Sequence, residues 1–179
     1  MPTLEEYFTK AVNTPSDINQ HLMTLFALAR DCRHITEFGV RAVVSTWAFL
    51  MARPGKLVSY DIRTHNNIKL VKEVTAQEGL SFEFHEQNVL KAVIEPTDLL
   101  FIDTLHTYGQ LKQELELHSP NTRKWIVMHD TVTFGKRGEI PGSEGLLKAL
   151  DEFLEANKQW RTKYKFEHNN GLTVLERCS

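Results

Sequence analysis

The sequence predicts an α/β fold: a mostly parallel, Rossmann-like sheet with helices on both faces and a C-terminal antiparallel β-hairpin. Three observations point that way. From residue 35 onward, short apolar runs alternate with longer amphipathic ones, the signature of strand–helix–strand units. Those apolar runs are close to continuous, as expected of strands covered on both faces. After Asp130 the alternation stops, and one helical segment is followed by two strand-like runs flanking Asn170-Gly171, a strong hairpin signal.

Taken in order, Thr3 and Glu6 form a capping box that opens a short helix. Ser16 is expected to cap a second helix running to about residue 30, with Ile18, Leu22, Leu25, Phe26 and Ala29 as its apolar stripe. Strands are expected over 35–38, 57–60, 81–85, 99–102 and 125–128. Helices are expected over 43–52, 66–77 and 108–118, with a shorter connection across 88–93. A helix over 143–157, a strand over 160–167, the turn "HNNG" and a strand over 172–176 complete the chain. With 179 residues this reads as one domain, the helices of 1–30 preceding a core at 35–179.

Composition narrows the class. The longest apolar-rich run, "AVVSTWAFLMA", is broken by Ser45 and Thr46 and does not span a bilayer. The acidic start lacks the basic-then-apolar order of a signal peptide, and Cys32 and Cys178 form no metal or redox spacing. A reduced, cytoplasmic setting is therefore expected. A net charge of −2 makes no electrostatic case for nucleic acid.

In an open parallel sheet, ligands bind beyond the carboxyl ends of the strands. Each of the first five strands carries a polar group there. The first ends in "EFGVRAVVST", with Glu37, Gly39 and then Ser45 and Thr46 in the next helix; the second ends in Asp61, where a carboxylate can accept from ribose hydroxyls. The third is followed by Asn88, a candidate partner for an adenine edge. The fourth, "LLFIDTLHTYG", delivers Asp103 and His106, and the fifth, "WIVMHD", delivers His129 and Asp130. Singly, each has a plain structural alternative: a helix cap for the acids, a tight turn for Gly39, a satisfied core position for His129. The segment Thr131–Gly145 holds four of the nine glycines and suits a mobile loop, with Lys136, Arg137 and Glu139 available to a polar acceptor.

"ITEFGV", "SYDI", "LLFIDTLHTYGQLKQELELHSP" and "WIVMHDT" together resemble the class I S-adenosylmethionine (SAM)-dependent methyltransferases. The branch most similar contains the macrolide sugar O-methyltransferases and cephalosporin hydroxylase-like proteins. The resemblance spans about residues 35–176 and implies a seven-stranded methyltransferase sheet. It also implies methyl transfer to a hydroxyl of a small acceptor, such as a sugar, and leaves room for a homo-oligomer. Glu37 and Gly39 would line the methionine and ribose side of SAM, Asp61 would bind the ribose and Asn88 would lie near the adenine. Val40, Ser45, Ile62 and Asp103 complete the implied cofactor set. A divalent metal, Mg2+ in that branch, would be held by Asp103 and Asp130, and His106 matches the proposed general base.

This sequence departs from the pattern twice. His129 falls where a third ligand is usually a carboxylate, and Mg2+ prefers oxygen to imidazole. Val43 replaces the last glycine of E-x-G-x-x-x-G, where a β-branched side chain is expected to narrow the cofactor's approach. Two other readings stay open: a metal-independent methyltransferase using His106 alone, and a cofactor-binding scaffold without catalysis. A nicotinamide dehydrogenase is disfavoured because "EFGVRAVVS" lacks G-x-G-x-x-G.

Overall fold

Apolar strands that must be covered on both sides pair into one seven-stranded sheet in the computed structural model, which describes residues 2–178. The strands are β1 (His34–Phe38), β2 (Lys56–Asp61), β3 (Phe82–Glu86), β4 (Thr97–Ile102), β5 (Thr122–His129), β6 (Trp160–Phe166) and β7 (Leu172–Arg177). Their spatial order is β3-β2-β1-β4-β5-β7-β6; β1 to β5 run parallel, and β7 lies antiparallel between β5 and β6. The predicted fold class is observed. The strand order reverses between β1 and β4, which places a crevice at their carboxyl ends.

Alternate strand residues face opposite layers, so the sheet separates two cores. Ile35, Leu57, Leu99, Phe101 and Val127 pack under α1 (Leu4–Asn13), α2 (Leu22–Ala29), α3 (Val44–Met51) and α4 (Asn67–Glu78). Phe38, Val58, Leu100, Ile102 and Met128 pack under α5 (Tyr108–His118) and α6 (Leu146–Ala156). No described helix is long and apolar enough to cross a membrane.

Several boundaries differ from expectation. β2, β4 and β5 begin earlier than their apolar runs because backbone pairing, such as Thr97 opposite Thr122, continues through polar residues. β3 is largely exposed, as the edge position permits. The capping box at Thr3 and Glu6 forms as predicted. Ser16 does not open one long helix. Its hydroxyl accepts from Asn19 N (3.0 Å) and starts a 3-10 turn, Asn19–His21, before α2. α6 begins at Leu146, three residues after the expected start, because the preceding loop is committed to other contacts described below.

Two residues at the end of β1 set the crevice. Glu37 is fully buried, and its carboxylate accepts from Ser45 Oγ (2.6 Å), Thr46 Oγ1 (3.0 Å) and Ser59 Oγ (2.6 Å), tying β1 to α3 and β2. Burial pushes its pKa up to about 7 against the three hydroxyl hydrogen bonds. Gly39 has φ +82°, and a Cβ there would sit 1.9 Å from the carbonyl oxygen of Asp103. Only a residue without a side chain lets the β1 exit loop lie on the β4 exit loop.

Gly39→Ala should therefore cost about 3 kcal/mol or more in chemical denaturation, combining backbone strain with a backbone clash. Gly79→Ala, with φ +66° but open space around it, should cost only about 1–2 kcal/mol. Equal losses would contradict the close contact. For Glu37, the folded protein keeps a proton that the unfolded chain releases between pH 4.5 and about 7. Its contribution to stability is thus complete below pH 4.5 and is lost as pH rises to about 7. Glu37→Gln should flatten that slope, gaining on the order of 2 kcal/mol relative to wild type between pH 5 and pH 8; parallel pH–stability curves would refute it.

Candidate active site

At the carboxyl ends of β1 to β4 lies a cavity of about 610 Å³, within the range of small-molecule sites. Gly39, Val40, Ser45, Asp61, Ile62, Asn88, Asp103 and His106 line it, all predicted from sequence. Glu37 does not. Its carboxylate is spent beneath the cavity floor on three hydroxyls, so it supports the site without facing it.

The wall is built by hydrogen bonds between loops. Asp61 Oδ2 accepts from Val40 N (2.9 Å) and Arg41 N (3.1 Å), and Oδ1 accepts from Arg63 N (3.1 Å). A carboxylate has about four acceptor positions, so one remains for a ligand. Asn88 Oδ1 accepts from Leu90 N (2.9 Å), capping the turn Val89–Lys91 and leaving its amide N–H groups free of that task. The structural and ligand-binding readings of these two residues are therefore compatible. Ile62 and Leu105, 65% and 43% exposed, add apolar surface to the cavity. Val43 does not narrow it. Held left-handed at φ +61°, it turns its side chain into the core beneath α3.

Beside the cavity, the two predicted strand ends converge. His106 Nε2 lies 3.1 Å from both Asp103 Oδ1 and Asp130 Oδ2, and His129 Nδ1 lies 3.4 and 3.5 Å from the same oxygens. Asp103, His129 and Asp130 each offer a ligand atom within 4.8 Å of the others. Asp103 belongs to both the cavity and the cluster. The outer nitrogen of each ring is also engaged: His106 Nδ1 with Glu139 Oε2 (3.0 Å), His129 Nε2 with the carbonyl of Asn169 (3.2 Å). Asp130 has φ +60°, and its Oδ1 is buried without a hydrogen-bond partner among the described residues.

Charge coupling dominates this cluster. Burial pushes the Asp103 carboxyl up, but hydrogen bonds and charge from His106 and His129 outweigh it and hold Asp103 well below the usual carboxylate range. Burial keeps Asp130 above its ordinary value. Burial pulls both imidazoles down, and Asp103 and Asp130 more than reverse this, so both hold a proton more tightly than free histidine.

Phe134, Asn169, His21 and Glu114 support the site from outside the sequence-derived set, and Glu139 gains a second role. Glu139, expected to meet an acceptor, lines the cavity; its Oε2 also accepts from His106 N (3.3 Å) and its own N–H donates to His106 O (2.9 Å), while the His106 ring stacks on Phe134 at 4.9 Å. The segment Thr131–Gly145 is accordingly not a free-standing flap: Glu139 N donates to His106 O, Tyr108 N to Glu144 O and Leu146 N to Phe134 O. The turn "HNNG", read only as a hairpin signal, also supplies the Asn169 carbonyl. Pairing of β5 with β7 places it beside His129. His21 donates from Nε2 to the carbonyls of His168 (3.1 Å) and Asn169 (3.2 Å). Burial, then the neighbouring His129 and His168, brings its pKa down to about 4. A histidine next to an apolar stripe was the available signal. Glu114, buried on α5, accepts from Thr104 Oγ1 (2.6 Å) and Gln110 Nε2 (2.8 Å), two cavity residues, and burial raises its pKa to about 7.

No protein-family model and no curated protein sequence matches the chain. Solved structures do. The O-methyltransferase TomG from Streptomyces achromogenes, involved in tomaymycin synthesis and solved with SAM, is 17% identical with a TM-score of 0.67, over 97% of this chain and 90% of its own. The N-methyltransferase NodS from Bradyrhizobium japonicum WM9, solved with S-adenosyl-L-homocysteine, is 10% identical with a TM-score of 0.65, over 99% of this chain and 100% of its own. The Podospora anserina methyltransferase PaMTH1, solved with the same ligand, is 17% identical with a TM-score of 0.60, over 100% of this chain and 89% of its own. The shared feature is the fold; the acceptor atom differs even between TomG and NodS.

Proposed function

We propose that this protein is a SAM-dependent O-methyltransferase that methylates a hydroxyl of a small acceptor, a sugar being the candidate class, with help from a divalent cation. The observation that carries this reading is Asp103. It joins a cavity of cofactor size to a carboxylate–imidazole cluster suited to activating a hydroxyl. The methyltransferase fold neighbours solved with SAM or S-adenosyl-L-homocysteine support it.

SAM would supply a methyl group already activated on a sulfonium. Asp61 would accept from a ribose hydroxyl, Asn88 would meet the adenine edge, and Ile62 and Leu105 would offer apolar surface to the base. The Gly39–Val40 backbone and Ser45 would face the rest of the molecule. The cation would lower the acceptor hydroxyl's pKa, and Asp103, Asp130 and His129 would hold it.

His106 is the proposed base. Glu139 takes the Nδ1 proton of the ring, which leaves Nε2 to accept from a hydroxyl. Phe134 fixes the ring plane. Two neighbouring carboxylates alone favour the protonated ring, so positive charge held between Asp103 and Asp130 is what would free Nε2 to act. The scaffold reading draws on the two departures from the family pattern, Val43 and His129; the Val43 side chain lies in the core rather than in the cavity, and His129 joins the carboxylate–imidazole cluster.

Calorimetry should detect SAM binding and no NAD binding. Asp61→Ala should weaken SAM by about 10-fold or more, the loss of a hydrogen bond to a charged group. With labelled SAM and a panel of sugars, His106→Ala should lower kcat by about 10²–10⁴-fold while leaving SAM affinity unchanged. Full turnover in that variant would remove His106 as the base, and absence of SAM binding in the wild type would remove the reading itself. Activity unchanged by exhaustive chelation would point instead to His106 acting without a metal.

A further inference from the structure

We propose that the Asp103–His129–Asp130 cluster is built for a borderline divalent transition metal, such as Mn2+, Fe2+, Co2+ or Zn2+, in preference to Mg2+, with His129 Nδ1 as a direct ligand. This rests on the preceding reading only in placing a cation at that site.

The donor set comes first. Mg2+ demands oxygen ligands and gives up its water reluctantly, whereas imidazole suits the later first-row ions. The structure presents an imidazole nitrogen with two carboxylate oxygens, all mutually within 4.8 Å.

The second observation is the outer side of that ring. The Asn169 carbonyl can only accept, so His129 Nε2 carries a proton and Nδ1 is the nitrogen turned to the carboxylates. A backbone carbonyl behind a ligating histidine is the arrangement that orients such ligands and raises their basicity. That carbonyl is itself held in place. The Asn169 side chain donates to Ser16 O (2.9 Å) and accepts from Gln20 N (3.0 Å), and its carbonyl also receives His21 Nε2. The N-terminal segment and the C-terminal hairpin thus aim one ring.

The third observation is Asp130. Its side chain is nine-tenths buried, Oδ2 reaches the cluster and Oδ1 has no partner among the described residues. Its backbone holds the left-handed conformation at φ +60°. A desolvated carboxylate with only one of its oxygens satisfied by the cluster gains from a bound cation. Asp103, on the cavity wall, provides the way in.

The test uses the full chain, stripped with chelator and kept free of SAM. Mn2+ and Mg2+ are titrated separately and in competition, followed by calorimetry and by electron paramagnetic resonance of Mn2+. One Mn2+ per chain should bind, about 10-fold or more tighter than Mg2+, with hyperfine coupling to an imidazole nitrogen. His129→Asp, confirmed folded by circular dichroism, should abolish the nitrogen coupling and shift preference toward Mg2+. His106 Nε2 lies 3.1 Å from the same two oxygens, so nitrogen coupling that persists in His106→Ala assigns the ligand to His129 even if the His129 variant does not fold, and its loss in His106→Ala would overturn the assignment. Equal or tighter Mg2+ binding, Mn2+ without nitrogen coupling, or no metal binding at all would overturn the inference. A SAM titration on the same stripped sample reports separately on the methyltransferase reading, which survives if SAM binds and no transition metal does.

Discussion

The missing side chain of Gly39 is the constraint on which the site depends. Any Cβ at that position would collide with the carbonyl of Asp103, so the loops leaving β1 and β4 can touch only because one of them is bare. That contact holds the floor of the cavity and the first residue of the carboxylate–imidazole cluster in one rigid piece. Glu37 reinforces it from below by gathering hydroxyls from α3 and β2. Asp61 reinforces it from the side by taking the backbone N–H groups of Val40 and Arg41. In this fold an acidic residue beside the cavity can work through the backbone it organises, as Asp61 does.

The cluster itself concentrates opposing charges. Two carboxylates share two imidazoles at 3.1–3.5 Å, and each ring is backed on its far side, one by Glu139 and one by the Asn169 carbonyl. This polarises both rings in defined directions, and the low local dielectric strengthens every pair while making any unpaired group costly. Asp130 Oδ1 is such a group. A pre-oriented set of donors with one unsatisfied oxygen is organised around positive charge, whether a proton, a cation or both in succession supplies it.

The supports come from distant parts of the chain. His21 and Ser16 lie in the N-terminal segment, Asn169 in the C-terminal hairpin and Glu139 in the loop after β5, yet all act within two bonds of His106 or His129. The loop over 131–145 has the glycine content of a flap, but Gly135, Gly138 and Gly145 serve close packing, and Gly142 holds φ +83° in open space. A Cβ on Gly138 would meet the His106 carbonyl at 2.9 Å, and one on Gly145 would meet the backbone of Phe134 and Gly135 at 2.4 Å.

Local sequence was sufficient for the sheet, its parallel and antiparallel parts, and the placement of Asp61, Asn88, Asp103, His106, His129 and Asp130 at strand ends, because hydrophobic periodicity and strand polarity are local properties. It could not distinguish Glu37 facing a ligand from Glu37 buried beneath one, since the two differ only in which hydroxyls the fold brings within reach. Nor could it reveal that Val43 would turn inward, that Glu139 would back His106, or that Asn169 and His21 would aim His129. Those pairings join residues that are far apart in the chain. They form only when β7 inserts beside β5 and the N-terminal segment closes over the hairpin, because a hydrogen bond depends on distance in space and not on distance along the sequence.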